Sequence, residues 1–115
     1  MDLIFNKNNF NIDSVNLEFK SFCSANNLAD EVLLKMQLVN EEFLSNILFP
    51  NFENNVKLSV YKKADNAVLS YEYSGNDYMN IISETTMISL KILENKTKEI
   101  SSNTEDGKVT VSFII

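Results

Sequence analysis

The hydrophobic pattern between Asp30 and Pro50 has the period of a helix. Its apolar residues follow one another at spacings of 4, 3, 4 and 4: Val32, Met36, Val39, Phe43 and Ile47. Such spacings place side chains on one face of an α-helix, so we expect this face to be buried. Asp30 suits the positive end of the helix dipole, and Pro50 cannot continue a helix. We therefore expect the helix to end near Leu48.

An earlier stretch has the same periodicity. Its apolar residues lie at spacings of 4 and 3: Val15, Phe19 and Phe22. Asp13 or Ser14 is the predicted N-cap, because both side chains can accept a hydrogen bond from the first turn. Asn26 and Asn27 tolerate the left-handed conformation, so the helix is predicted to stop there.

The second half of the chain predicts one helix between two hairpins. Alternating apolar and polar residues indicate two pairs of strands joined by short turns: Val56–Tyr61 with Ala67–Tyr73, and Ile100–Thr104 with Val109–Ile115. Between the pairs, residues Glu84 to Lys96 predict a helix, with Ser83 as a candidate cap. Leu90 and Leu93 are expected to face inward.

These elements, with a short first strand at Leu3–Phe5, give the order β-α-α-β-β-α-β-β. No repeat, linker or low-complexity segment divides the chain, so residues 1–115 are predicted to form one domain. We expect an α+β two-layer sandwich, with a mixed, mainly antiparallel sheet covered on one face by three helices.

Composition narrows the classes of function. The net charge is −6 and there is no arginine, which argues against binding to nucleic acid or to an anionic membrane surface. The absence of histidine excludes histidine-based catalysis and ligation. Gly75 and Gly107 are too few for a glycine-rich phosphate loop. No apolar run reaches the roughly 18 residues of a membrane span, and no signal peptide is recognisable, so a cytoplasmic protein is expected.

One polar pair lies beside the apolar face of the second helix. Glu42 and Asn46 are one turn apart, and Asn46 follows Phe43 by three residues. We therefore expect the Asn46 side chain to lie near the core, where it needs a partner. Two interpretations stay open. Either the fold supplies the partners and Glu42 is a partly solvated helix residue, or the pair binds a ligand.

The element order and the Glu-x-x-x-Asn spacing resemble the Bergerat-fold (GHKL) ATPase domain. Within that family, two segments resemble those of the short anti-sigma-factor serine kinases of bacterial partner-switching systems: LVNEEFLSNIL and the tail TKEISSNTEDGKVTVSFII. The resemblance implies that Asn46 ligates a Mg²⁺ bridging the phosphates of ATP and that Glu42 acts as the catalytic general base. It also implies a protein partner, such as a sigma factor or a small antagonist.

Two departures from the family pattern affect the nucleotide. The family has an Asp-x-Gly turn whose carboxylate binds adenine, and here the matching residues are Tyr73, Ser74 and Gly75. Tyr73 and Gly75 are thus the candidate base-contacting residues, without the charged oxygen. The family also wraps the phosphates with a Gly-x-Gly segment, whereas residues 76–90 contain no glycine. The resemblance therefore implies that binding of ATP and Mg²⁺ is degenerate or weak.

We accordingly expect a regulatory, protein-binding domain of the anti-sigma-factor type, whose acidic surface steers encounter with a basic partner. One alternative is an active ATP-dependent serine kinase with a divergent pocket and Glu42 as base. Another is a small acidic secretion chaperone, dimeric, that holds a client on exposed apolar surface. Homodimerisation stays open in either family.

Overall fold

The computed structural model describes residues 1–51, 54–81 and 83–115. Its main elements, in chain order, are β1 (Asp2–Phe5), α1 (Ile12–Ala25), α2 (Asp30–Glu41), β2 (Val56–Lys63), β3 (Asn66–Ser74), α3 (Glu84–Lys96), β4 (Glu99–Glu105) and β5 (Lys108–Ile114). Helix α2 continues into a π-helical stretch, Glu42–Leu48, called the π segment below. A 3₁₀ turn, Tyr78–Ile81, precedes α3. The predicted order is confirmed.

The strands form a five-stranded sheet in the order β1-β2-β3-β5-β4, and every neighbouring pair is antiparallel. Both predicted hairpins are present. In the second, Glu105 pairs with Lys108 across Asp106 and Gly107, whose φ angles are +52° and +75°. Positive φ at both turn residues matches the twist of a tight hairpin. Strands β1 and β4 therefore form the two edges of the sheet.

The core lies between one face of the sheet and the helices, as expected for a two-layer α+β sandwich. The buried strand side chains alternate along the sequence: Val56, Leu58 and Val60 on β2, Leu69, Tyr71 and Tyr73 on β3, and Val109, Val111 and Phe113 on β5. The opposite face is mainly polar, apart from Tyr61, Val68 and Ile114, which are neighbours on β2, β3 and β5. A row of serines crosses this face in register: Ser59, Ser70, Ser112 and Ser101. Because every second side chain of these strands is buried, the buried residues define the face of the sheet that the helices cover.

The helix boundaries agree with the predicted ones except at the first N-terminus. Helix α1 begins at Ile12, and the Oδ1 of Asn11 accepts a hydrogen bond from the Ser14 amide at 3.1 Å. The N-cap is therefore Asn11, and the prediction of Asp13 or Ser14 is wrong. Ser83 precedes α3 as expected. Within the described residues, no helix is both long and apolar enough to cross a membrane.

The second helix has the predicted extent but changes type over its last seven residues. Its buried residues form two rows with a constant spacing of four: Met36, Asn40, Leu44 and Leu48, and Val39, Phe43 and Ile47. In an α-helix of 3.6 residues per turn, each step of four turns a side chain about 40° away from the core. The wider π-helical turn, closed by the Phe49 amide on the Leu44 carbonyl at 2.8 Å, keeps both rows buried.

One polar side chain lies inside this core. Asn40 is fully buried, and its Oδ1 accepts a hydrogen bond from the Tyr71 hydroxyl at 2.6 Å. Its Nδ2 has no hydrogen-bond partner among the described residues. Asn40 was not predicted to be buried, although its position four residues after Met36 places it on the buried face.

We expect Tyr71→Phe to lower the free energy of unfolding by about 1–3 kcal/mol, because the Asn40 carbonyl loses its donor in a dry environment. Adding Asn40→Leu, which removes the orphaned amide and keeps the number and branching of the side-chain heavy atoms, should recover most of that loss. Urea denaturation of the two variants and the wild type measures both effects. Equal stability of Tyr71→Phe and the wild type would mean that this hydrogen bond contributes nothing.

Candidate functional site

An open groove of about 570 Å³ lies between the π segment and α3. It is called the α3 groove below, and its lining includes Glu42, Asn46 and Asn51 on one wall and Thr86, Ile88 and Ile92 on the other. The groove follows from two local features. The π segment turns its apolar rows to the core, and α3 buries Leu90 and Leu93, so the remaining sides of both helices face each other across solvent.

The Glu42–Asn46 pair forms part of one wall. The Asn46 Nδ2 donates to the Glu42 Oε2 at 2.7 Å, so the predicted proximity of the two side chains is confirmed. Asn46 is exposed and Glu42 is half-buried. The expectation that Asn46 lies near the core is wrong, because the two buried rows already occupy the side of the helix that faces the sheet.

The other two predicted site residues lie elsewhere. Tyr73 is buried at the end of β3, and its hydroxyl donates to the Asn76 carbonyl at 3.0 Å. Burial raises the pKa of Tyr73, which keeps that donor protonated. Gly75 has a φ of +138°, and its amide donates to the Gly107 carbonyl at 3.0 Å. Neither residue lines the α3 groove, so the structure joins Glu42 to Asn46 but leaves Tyr73 and Gly75 outside.

This arrangement does not fit Mg-ATP. Among the described residues that line the α3 groove there is no lysine, and the charged one is the carboxylate Glu42. Such a surface repels phosphate oxygens. The Ser83 amide at the start of α3 already donates to the Thr86 Oγ1 at 2.8 Å. Across the described residues, no cluster of three or more acidic or cysteine side chains could hold a metal. The nucleotide and metal roles of Glu42, Asn46, Tyr73 and Gly75 stay predictions from the resemblance.

The α3 groove instead presents apolar surface. Ile88 is 70% exposed, while Ile92, one turn further, is half-buried. Ile88 and Ile92 also line a second opening of about 260 Å³, so the apolar strip continues beyond the groove. An apolar strip within a polar rim is typical of a protein contact surface. Ile88 was not predicted as a site residue, although its position two residues before the inward-facing Leu90 puts it on the outer side of the helix.

Comparison with solved structures finds the same fold in a chain from the crystal structure of the SiaB-SiaC complex of Pseudomonas aeruginosa. The TM-score is 0.70 and the sequence identity is 13%, with 98% of this chain and 88% of that chain covered. No protein-family model matches this chain, and no curated protein is similar to it in sequence. The likeness shows a shared fold over nearly the whole length of the chain.

Proposed function

We propose that this chain is a regulatory protein-binding domain that contacts its partner through the α3 groove. The observation that carries this function is the apolar strip of Ile88 and Ile92 beside the polar Glu42–Asn46 pair. The shared fold with a chain crystallised in a two-protein complex supports it. The partner is of the class that the sequence resemblance implies, a sigma factor or a small antagonist.

The chemistry of the α3 groove specifies what the partner presents. Glu42 is the one charged side chain that lines it within the described ranges, and the whole chain carries a net charge of −6. A complementary surface places an apolar side chain against Ile88 and a lysine or arginine near the Glu42 carboxylate. Opposite net charges also accelerate encounter at low ionic strength. Comparison of partner affinity between Ile88→Glu, in the α3 groove, and Leu34→Glu, outside it, tests this function.

We also propose that this domain binds ATP and Mg²⁺ only weakly or not at all. Titration calorimetry is therefore expected to show no binding of Mg-ATP or Mg-ADP tighter than about 100 μM. The reasons are the carboxylate in the α3 groove and the separation of Tyr73 and Gly75 from Asn46. The control is Asn46→Ala, an exposed position where truncation leaves the core intact. Tighter binding that disappears in this variant would favour the active serine kinase instead.

A further inference from the structure

Strand β4 is an edge of the sheet, and no described strand pairs with its outer side. Apart from the ladder to β5, no backbone hydrogen bond of Glu99–Glu105 is formed within the described residues. Six of the seven residues are exposed, and Ile100 is half-buried. The outward N–H and C=O groups are therefore available to another strand.

Natural edge strands are usually protected by proline, lysine, a bulge or short length. The opposite edge, β1, has four residues. In contrast, β4 has seven, its register with β5 is unbroken, and the five residues Ile100–Thr104 are uncharged and contain no proline. This edge is thus competent to accept an added strand.

The charges at the two ends of β4 select the occupant. Symmetric antiparallel pairing of two copies over the full strand centres on Ser102, which sets Glu99 of each copy opposite Glu105 of the other. Like charges directly opposite each other destabilise a strand pair. Of the neighbouring lysines, Lys108 is paired with Glu72 at 3.3 Å, and the Lys98 Nζ donates to Asn66. A foreign strand with a basic residue at each end places opposite charges there instead.

We propose that the β4 edge binds an extended, basic segment of a partner protein by strand addition. The added backbone continues the hydrogen-bond ladder beyond β4, and two basic side chains six positions apart pair with Glu99 and Glu105. This surface is distinct from the α3 groove, and its occupation does not depend on the function proposed for that groove.

The test uses a labelled seven-residue peptide, Lys-Val-Thr-Val-Thr-Val-Lys, and fluorescence anisotropy with the full chain. We expect the wild type to bind it and the exposed double variant Glu99→Lys/Glu105→Lys to bind at least about tenfold more weakly, since two facing ion pairs become repulsions. Two further peptides carry N-methyl groups on alternate residues, in opposite phase. Because alternate amides of an added strand face β4, one methylated peptide should lose binding and the other should keep it.

Three results would overturn the inference: no binding of the parent peptide, equal binding of the two methylated peptides, or unchanged affinity in the charge-reversed variant. Self-association of the wild type that disappears in that variant would also overturn it, because the occupant would then be a second copy. Circular dichroism is used to check that the double variant is folded. The variant Glu99→Gln/Glu105→Gln should lose less affinity than the charge-reversed one. Ile88→Glu should bind the peptide like the wild type, which separates this surface from the α3 groove.

Discussion

Phe43→Ala is expected to lower the free energy of unfolding by about 3–5 kcal/mol. Phe43 is fully buried near the start of the π segment. Its ring centroid lies 4.9 Å from that of Tyr71, 5.0 Å from that of Phe113 and 5.7 Å from that of Tyr78. Truncation therefore removes aromatic contacts to β3, to β5 and to the 3₁₀ turn at once, and leaves a cavity between the two layers.

A loss of this size is a large part of the roughly 5–15 kcal/mol that stabilises an ordinary domain. Urea denaturation followed by far-ultraviolet circular dichroism measures it. The matched control is Leu17→Ala on α1, where the leucine is 66% exposed and the expected change is within about 0.5 kcal/mol. A loss below about 1 kcal/mol for Phe43→Ala would mean that the π segment is not anchored by this ring.

The sequence allowed most of the fold to be predicted, because burial and turn formation are expressed locally. Alternation along Val56–Lys63 and Asn66–Ser74 indicates the two faces of each strand directly, and Asp106-Gly107 next to an alternating strand is a strong hairpin signal. The change of helix type was not predicted. The four-residue spacing of Asn40, Leu44 and Leu48 signals a wide turn, but a polar residue within that row hides the pattern.

The candidate site was less predictable, because it depends on what packs opposite. Spacing alone brings Glu42 and Asn46 together, and the 2.7 Å hydrogen bond confirms it. The surface opposite Glu42 and Asn46 is formed by helix α3, which is distant in sequence. No local sequence pattern encodes the position of that helix. Ile88 was missed for the same reason, since an exposed isoleucine is unremarkable until the groove beside it is known.

The second large effect concerns partner binding. Ile88→Glu is expected to weaken it by at least about 100-fold, or about 2.7 kcal/mol. The variant replaces the most exposed apolar residue of the α3 groove with a carboxylate that would have to be desolvated in the complex. Because the isoleucine is 70% exposed, its replacement should leave the free energy of unfolding nearly unchanged.

Leu34→Glu is the matched control, since Leu34 is 65% exposed on α2 and does not line the α3 groove. A partner captured by the wild type is purified, and titration calorimetry measures its dissociation constant for the wild type and both folded variants. We predict that Ile88→Glu loses the affinity and Leu34→Glu keeps it. Equal affinities for the two variants would contradict the assignment of the α3 groove as the surface through which this protein acts.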